Sequence, residues 1–466
     1  MKIIQVIGVV LVTLYLCDAK PLEYPENARE EKDSQADDEC EVKLNFSNMG
    51  MSNIKPNFVS GLKIKSLTLR YNSIEKFEKD TFDSLPNLEY LDLSHNKLSK
   101  TKLFSFGSVT SLKTLILDYN FGDEVIGYSQ QCTNPDTSSG DYEDIVQEPE
   151  CVSIPYEKYS ALETNGYFPE VTHLSLRHIF MNSLAIYWTV YFPKVENLDV
   201  SDNRLSSVHD FYKNLPTTLK NLTMENMGFT SMKIPSLKNV TSLNLNLNHF
   251  HVIKRSGCDG ESLCLENLEG LESLSIASCS IGKVEAHAFK HVMKLSYLDI
   301  SNNSLDVIPD GTFGHFPSLS YLDISQNPFV NVSFIGELKN LTSLMMNGMK
   351  DNRAIESLWS MTSMPMIQII SLRDNGIIFI PSRFFGNLQD IREIDLSNNR
   401  LSFLSPGLWQ KSLTAIHLNQ NQVTKIEDLQ LTEATSLQLL DLEKNNVTNI
   451  KLSAIKELPD TVILRL

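Results

Sequence analysis

The amino-acid sequence predicts an α/β solenoid, in which repeated turns of the chain stack and each turn adds one short strand to a parallel sheet. The first observation is an asparagine that recurs every 24 residues, at Asn72, Asn96 and Asn120. The second is that each asparagine closes the pattern L-x-x-L-x-L-x-x-N, and the third is the number of copies, about fifteen in register. The frame returns at Asn203, Asn248, Asn303, Asn327, Asn375, Asn399, Asn421 and Asn445, and degenerate copies carry Ile179, Met227, Cys279 and Met349 at this position. A fixed period of this length is the sequence signature of stacked repeats.

Each residue type in the frame has a structural reason. The leucines that flank the strand point into the turn and stack on their equivalents above and below, so neighbouring repeats share their burial. The asparagine amide both donates and accepts hydrogen bonds, and it satisfies backbone groups that would otherwise be buried without partners. Methionine at 227 and 349 cannot form these bonds, so we expect a looser chain there. Apolar residues before the next strand, such as Phe82 and Phe289, predict a broader convex side of irregular or short helical segments, and hence a horseshoe with the sheet on its concave face.

The chain divides into a leader and one repeat domain. Residues 1–19 have the charged start, the short apolar run and the small-residue end of a secretory signal. Residues 20–39 are acidic and nearly free of large apolar side chains, which predicts a disordered leader. A cap turn follows at 40–61, and repeats occupy 62–466 with an insertion at about 121–168. Loops of that length within a compact array are usually functional or disordered.

The last residues match the apolar frame of one more repeat. Thr461, Leu464 and Leu466 fit its first three apolar positions, and neither a polar C-terminal cap nor a cysteine cluster follows. A solenoid needs its apolar edge covered. The sequence therefore indicates either an incomplete chain, which we favour, or a partner polypeptide on that edge.

Composition indicates an extracellular protein. Seven N-x-S/T sequons accompany the signal-like start: Asn45, Asn221, Asn239, Asn302, Asn331, Asn340 and Asn446. We expect a secreted glycoprotein, or a cell-surface protein if the chain belongs to a longer receptor, and no stretch of this sequence predicts a membrane span. The net charge of −16 argues against nucleic acid and anionic membranes as partners, and it favours basic or neutral protein surfaces.

Six cysteines remain once the signal is removed. Two pairs lie in loops outside the repeat frame, and pairing within each loop is the economical arrangement in an oxidising compartment. The expected disulfides are therefore Cys132–Cys151 and Cys258–Cys264. Cys279 occupies an asparagine position, which predicts a buried free thiol. Cys40 then either forms an intermolecular disulfide or stays unpaired in the cap.

The sequence offers no catalytic constellation. Asp-x-Ser recurs along the strands, as at Asp92 and Ser94, and such copies of one repeat feature predict solvated ladders rather than a triad. There is no nucleophile elbow, no phosphate loop and no close cysteine pair at metal-ligand spacing. His249 and His251 follow a strand end without further recognisable ligands. We therefore expect no enzyme, no cofactor and no metal site.

The segments TFDSLPNLEYLDLSHNKLS and VIPDGTFGHFPSLSYLDISQN resemble the 24-residue subtype of animal extracellular leucine-rich repeat proteins. That group includes Toll-like receptor ectodomains, Slit, chaoptin-like adhesion proteins and secreted leucine-rich immune proteins of insects, and the resemblance covers roughly residues 40–466. It implies a recognition or scaffold factor in extracellular fluid, as in innate immunity, that binds a protein ligand or receptor on the concave face. The alternatives are an adhesion or matrix protein and the truncated ectodomain of a Toll-like or chaoptin-like receptor. The chain departs from the group in lacking a cysteine-rich C-terminal cap and in having Cys40 alone at the N-terminal cap.

The early repeats place aromatic and basic residues at frame positions 2, 3, 5, 7 and 8, which face the concave side or its rim. Such residues often anchor interfaces because they bring contact area and a polar tip, although exposed aromatic residues are also common in strands. The predicted partner-binding residues are Arg70, Tyr71, Tyr90, His95, Tyr119, His173, Arg177 and His178, with a second pair at Tyr297 and Tyr321. Sugars on Asn45 and Asn221, which also occupy concave positions, would narrow this surface.

Expression in insect cells tests the secretory interpretation. We expect the chain to enter the medium with a mature start near Lys20, and glycosidase treatment to increase its electrophoretic mobility because the sequon sugars are removed. A variant with all seven sequon asparagines changed to glutamine is the control, and its mobility should not respond to the enzyme. Retention inside the cell without a mobility shift would rule the interpretation out.

Overall fold

The computed structural model describes residues 41–99, 102–120, 166–179, 188–205, 211–212, 215–233, 237–258, 260–314, 316–361, 364, 366–386, 388, 390–448, 450–456 and 458–466. The signal-like segment, the acidic leader, Cys40, most of the insertion and the expected Cys132–Cys151 disulfide lie outside these residues. The chain forms two compact units. The first unit is Met1–Val195 with Asn203–Pro216, and the second is Glu196–Asp202 with Thr217–Leu466.

The first unit holds a parallel sheet in which each strand pairs with the strand of the next repeat. The strands of this unit are β1 (Val42–Asn45), β2 (Asn53–Ile54), β3 (Ile64–Thr68), β4 (Lys76–Phe77), β5 (Tyr90–Asp92), β6 (Thr114–Ile116) and β7 (His173–Ser175). The sheet order is β1-β3-β5-β6-β7, while β2 and β4 form a separate parallel pair. The register aligns the middle leucine of the frame from strand to strand, as in Leu67, Leu91 and Leu115. A four-residue helix, α1, spans Trp188–Tyr191.

The second unit repeats the same arrangement over more turns. Its strands are β8 (Asn197–Asp199), β9 (Asn221–Thr223), β10 (Met232–Lys233), β11 (Ser242–Asn244), β12 (Val252–Lys254), β13 (Ser262–Cys264), β14 (Ser273–Ser275), β15 (Lys283–Val284), β16 (Tyr297–Asp299), β17 (Tyr321–Asp323), β18 (Ser343–Met345), β19 (Ile369–Ser371), β20 (Glu393–Asp395), β21 (Ala415–His417), β22 (Leu439–Asp441) and β23 (Ile463–Arg465). The main sheet runs β8-β9-β11-β14-β16 and then β17 to β23 in order, all parallel. A smaller parallel sheet has the order β10-β13-β12-β15. The repeat frame of the sequence does not predict this smaller sheet.

Few helices occur on the side of the turns away from the main sheet, as the sequence predicted. In the described part of the second unit they are α2 (Asn352–Trp359), α3 (Ser382–Phe385), α4 (Leu452–Lys456) and the 3₁₀ segments Ser333–Glu337, Leu408–Ser412 and Ile426–Leu429. The α2 helix begins after Asp351, whose carboxylate accepts a hydrogen bond from the backbone N–H of Arg353 at 2.9 Å. The solenoid class is confirmed, while the expected horseshoe curvature stays a prediction.

The core of each unit consists of stacked leucines and rows of aromatic rings. Leu67, Leu91 and Leu115 are fully buried, as are their counterparts in later strands. Phe82 and Phe289, which the sequence placed on the side away from the sheet, are buried as well. Phe168 contacts Phe104, Phe106 and Phe192 through its ring, although it is the last residue assigned to the insertion. Repeat packing therefore resumes before Val171.

The recurring asparagines connect each repeat to the preceding one through buried hydrogen bonds. The amide Nδ2 of Asn96 donates to the carbonyl of Leu93 in its own repeat and to that of Leu69 in the preceding repeat, at 2.9 and 3.0 Å. Its Oδ1 accepts from the backbone N–H of Ile74 at 3.0 Å. The same set of bonds recurs at other frame asparagines, including Asn303, Asn327 and Asn399. Each such asparagine therefore satisfies backbone groups of two turns at once.

The degenerate positions keep the frame with fewer bonds. The Cys279 thiol donates to the carbonyl of Leu245 at 3.2 Å, which replaces one of the asparagine contacts. At the methionine positions 227 and 349, the carbonyls of Met224 and Met346 keep the bond that the next frame asparagine ordinarily donates to the preceding repeat, here from Nδ2 of Asn248 and Asn375. The expected looser chain at these two sites remains a prediction.

A matched pair of adjacent asparagines tests this bridging. We expect Asn399→Ala to lower the free energy of unfolding by about 2–4 kcal/mol, since each buried backbone group left unpaired costs about 1–3 kcal/mol. The groups at stake are the N–H of Asn375, the N–H of Ile377 and the carbonyl of Leu372. Urea unfolding and hydrogen exchange at the two amides measure the change.

The control for this comparison is Asn398→Gly. Asn398 is exposed and has a positive φ of 53°, a conformation that glycine adopts without strain. Its neighbour is the bridging residue, so the two substitutions differ in burial and bonding rather than in location. Equal unfolding midpoints for the two variants would contradict a stabilising role for the bridge.

Candidate partner-binding surface

The residue before the frame asparagine, at position 8, adopts the same left-handed backbone conformation in the described repeats. In the first unit, φ is 57° at Tyr71, 54° at His95, 54° at Tyr119 and 52° at His178. This conformation costs a residue other than glycine about 1–2 kcal/mol, and asparagine and aspartate tolerate it best. In the second unit the position carries small or polar residues such as Asp202, Asn226, Gly348, Asp374 and Asn398, with Leu247 as an apolar exception and no aromatic residue among the described repeats. Four consecutive aromatic side chains are therefore particular to the first unit.

These four rings form one continuous stack, which we call the aromatic ladder: Tyr71, His95, Tyr119 and His178. The ring centroids are 4.2 Å apart between Tyr71 and His95, 4.6 Å between His95 and Tyr119, and 4.9 Å between Tyr119 and His178. The planes are inclined by 27°, 3° and 15°. Adjacent strands lie about 4.8 Å apart in a sheet, so equivalent positions of successive repeats have the spacing of stacked rings. The sequence placed these residues together, and the structure shows how they touch.

Arg70 lies next to the first ring of the ladder. Its guanidinium carbon is 4.6 Å from the centroid of the Tyr71 ring, and Nη2 donates to the Tyr71 hydroxyl at 3.0 Å. The Nε atom is buried and has no hydrogen-bond partner among the described residues. The guanidinium therefore extends the aromatic ladder with a planar cation.

Tyr90 and His173 occupy position 3 of the frame on the same sheet. Tyr90 is half-buried and pairs in register with Ser66 and Thr114, so the residues beside it are small. His173 is exposed, and its Nδ1 lies 2.9 Å from the Thr172 hydroxyl. The Arg177 backbone N–H donates to Asp118 Oδ1 at 2.9 Å, and the Ser175 hydroxyl donates to the same oxygen. All eight residues predicted for the early patch thus belong to the first unit, within four consecutive repeats.

Burial and charge set the protonation of this surface. Burial lowers the pKa of His95 below its ordinary value, the charge of Arg70 lowers it further, and Asp92 opposes them. Burial raises the pKa of Tyr90, and the Asp92 charge adds to that while Arg70 acts against it. At neutral pH the surface therefore has a neutral phenol at Tyr90, a neutral imidazole at His95 and the permanent charge of Arg70.

The second predicted pair lies in the second unit. The rings of Tyr297 and Tyr321 stack with centroids 4.4 Å apart and planes inclined by 8°. Burial and the neighbouring carboxylates of Asp299 and Asp323 raise the pKa of both phenols. This pair is a shorter stack with acidic neighbours, and it lacks a described cation like Arg70.

The cysteines and sequons have defined places. Cys258 and Cys264 form a disulfide in the structure, across six residues of sequence. Cys279 is a buried free thiol, and burial raises its pKa to about 12. All seven sequon asparagines are exposed. Within the described residues, no three histidine, cysteine or acidic side chains are arranged to hold a metal ion, and no helix there is long and apolar enough to cross a membrane.

The fold and this surface define a class of protein: a parallel-sheet solenoid that presents its strands to a partner. A family model described as leucine rich repeat matches residues 62–121, 269–329 and 365–412. The chain is a leucine-rich repeat protein.

Two human proteins share part of the sequence. The chain is 31% identical over 83 residues to leucine-rich repeats and immunoglobulin-like domains protein 3, and this match covers 18% of the chain and 7% of that protein. It is 33% identical over 92 residues to podocan-like protein 1, which covers 19% of the chain and 18% of that protein. The chain thus spans less than a fifth of the length of either relative. A solved structure of an internalin from Listeria monocytogenes is similar with 18% identity and a TM-score of 0.48, covering 66% of this chain and 84% of that one.

The position of His95 inside the ladder leads to a pH prediction. Because folding lowers its pKa, the unfolded chain binds a proton at His95 more readily than the folded chain does. Stability should therefore fall as the pH drops below the ordinary value of 6.5. His95→Phe keeps a stacked ring without a proton site, and it should remove part of this pH dependence. Urea midpoints at pH 7.5 and 5.5 for both proteins measure it.

A direct titration gives the second readout. In protein with ¹³C-labelled histidine, the signal that disappears in His95→Phe identifies the His95 imidazole. We expect its midpoint below 6.5. A midpoint at or above that value would show that the ladder does not disfavour the charged imidazole.

Proposed function

We propose that this protein is a secreted recognition factor that binds a protein partner through the aromatic ladder of its first unit. Leucine-rich repeat domains are scaffolds for protein–protein interaction, and their sheet offers an extended surface for a partner. The observation that carries the proposal is the ladder itself. Tyrosine and arginine are enriched among the residues that dominate binding energy at protein interfaces.

The backbone conformation supports a role for these rings outside folding. Each ladder residue has a positive φ, at a position where the second unit uses residues that adopt it at less cost, such as Asn226 and Gly348. The stacking leucines and the frame asparagines hold the repeats together without any ring at position 8. The fold requires a positive φ at position 8 but not an aromatic side chain there, so four consecutive rings in this conformation are a reason to infer function.

The distribution of sequons supports access to the ladder. No sequon lies between Asn45 and Asn221, so the repeats that carry the ladder have no attachment site for a sugar. The other six sequons all belong to the second unit. Asn45 pairs in register with Thr68 of β3, so a sugar there would narrow one end of the ladder face and leave the rest open to a protein partner.

Extracellular fluid is the proposed site of action, on the signal-like start, the sequons and the Cys258–Cys264 disulfide. Disulfides persist in oxidising compartments, which agrees with secretion. An innate-immunity role is the proposed context, and adhesion or receptor roles are the alternatives that identification of the partner would separate.

The double substitution Tyr71→Gln with Tyr119→Gln tests the ladder. Glutamine is the native residue at position 8 in two repeats, Gln326 and Gln420, with φ of 57° in both, so the backbone should be retained. Loss of two anchors should weaken partner capture about tenfold or more, because one interface anchor contributes about 2 kcal/mol. Affinity capture from the secreting organism's extracellular fluid, quantified by mass spectrometry, provides the measurement.

The matched control is Gln420→Asn, which changes position 8 in the second unit by one methylene group and creates no sequon. Circular dichroism and urea midpoints should agree for wild type, the double variant and the control. If the double variant captures the same proteins in the same amounts as the control, the ladder is a solvated surface and the proposed site is wrong.

A further inference from the structure

Arg70 indicates the chemistry of the partner, and this rests on the proposed binding function of the first unit. Arg70 is a half-buried cation whose guanidinium contacts the ring and the hydroxyl of Tyr71. Its charge acts on three rings: it stacks on Tyr71, and it shifts the pKa of both Tyr90 and His95. No described carboxylate lies within 4.0 Å of its guanidinium. A cation placed in this way has unused capacity for an anion.

The carboxylates of the neighbouring repeats are already engaged. Glu89 accepts from Lys113 at 2.6 Å and lies 3.4 Å from Lys65, which in turn contacts Glu41 at 2.9 Å. Asp92 is buried, and its Oδ1 accepts from the backbone N–H of Ser94 at 2.9 Å. These carboxylates therefore have partners of their own, and none of the described carboxylates pairs with Arg70.

We infer that the ladder surface binds a protein partner through an acidic side chain, aspartate or glutamate, that the partner places against Arg70. The planar guanidinium has five N–H donors in a fork that matches a carboxylate, and only Nη2 is used within the described residues. Tyr90 keeps its phenolic proton, so its hydroxyl is a second donor on the same face. The rings of Tyr71 and His95 provide a flat apolar floor beside this charge, which suits the hydrocarbon part of the partner's side chain and its backbone.

The net charge of the whole chain gives the opposite expectation. Residues 1–40 and 121–165 contribute −5 and −9 to the net charge of −16, which leaves −2 for the rest of the chain. The repeats are thus almost neutral by composition, and most of the acidity belongs to two segments outside the ladder. The choice of partner at this face depends on Arg70 rather than on the total.

Three polymers distinguish the ligand classes: poly-L-glutamate carries carboxylates on a peptide, heparin carries sulfates on a polysaccharide, and poly-L-lysine is the partner that the net charge favours. Biolayer interferometry with the full secreted chain should show binding to poly-L-glutamate that weakens between about 50 and 200 mM salt. Arg70→Gln should reduce that binding about tenfold, because it removes a charge-assisted hydrogen bond. Arg70→Lys should retain part of it, since the charge remains and the planar fork is lost.

The matched control is Arg400→Gln, which removes the same charge from an exposed position of the second unit. It should bind poly-L-glutamate like the wild type. Unchanged binding in Arg70→Gln would overturn the inference. Heparin binding that depends on Arg70, with no binding of poly-L-glutamate, would also overturn it and point to a sulfated glycan. Binding of poly-L-lysine alone would also overturn it and would show that the net charge of the chain determines the partner.

A second arm separates this inference from the proposed function. The partner captured by the wild type is measured against Arg70→Gln and against Tyr71→Gln with Tyr119→Gln. Loss in both variants supports both conclusions. Loss of capture in the tyrosine variant alone would support the binding surface and contradict the acidic partner. Retained capture in both variants would contradict the binding surface itself. Urea midpoints confirm folding, and Arg70→Gln should preserve them because no described carboxylate pairs with Arg70.

Discussion

The hydrogen bonds of the frame asparagine are the constraint on which the rest of this structure depends. Where the chain leaves the sheet, backbone groups of two successive turns are buried away from water. An amide with a donor and an acceptor serves both turns, as Asn96 does for Leu69, Ile74 and Leu93. Leaving one such group unpaired costs about 1–3 kcal/mol, and without the asparagine a solenoid would have this cost at every repeat. Cys279 retains one of these bonds, and at Met349 the adjacent Asn375 supplies another.

This turn also fixes the geometry of the candidate site. The frame asparagine follows a residue with a positive φ, and this conformation directs the asparagine amide toward both turns. In each repeat that residue lies just past the end of the strand. The residues at position 8 of successive repeats are therefore about 4.8 Å apart, which is the spacing of neighbouring strands. Polar residues at this spacing form hydrogen-bonded pairs, such as Asn226 with Asp202 and Asn398 with Asp374. Aromatic residues at the same spacing have to stack, and the ladder of Tyr71, His95, Tyr119 and His178 is the result.

The fold was predictable because burial is periodic. Leucines must be buried every few residues and an asparagine once in every turn, and only one arrangement of strands satisfies both. The buried residues Leu67, Leu91 and Asn96 occupy the predicted positions. The smaller sheet β10-β13-β12-β15 was not predictable, because strands of two or three residues such as Met232–Lys233 carry no period. The residue at which the chain returns to the core after the insertion was not predictable for a similar reason. A single apolar residue, Phe168, marks the return of the core, and sequence alone does not distinguish it from a loop residue.

The candidate site was predictable as a group of residues but not as an arrangement. Their frame positions put them on one face, since the register is fixed by the leucines. Stacking depends on the positive φ of position 8 and on side-chain torsions, which periodicity does not reveal. The contacts of Arg70 were not predictable either. In the composition Arg70 is only one of 41 basic residues, beside 57 acidic ones.

The net charge of the chain and the contacts of the charged residues at the ladder predict different partners. A sum over the chain treats every carboxylate alike, whereas exposed charges are screened beyond about 8–10 Å in physiological salt. At the ladder, Glu41, Glu89 and Asp118 are already bonded to Lys65, Lys113 and the Arg177 backbone. At close range this face presents the Arg70 guanidinium beside the stacked rings of the ladder. Local pairing therefore determines the charge that the face presents, even in a chain whose net charge is negative.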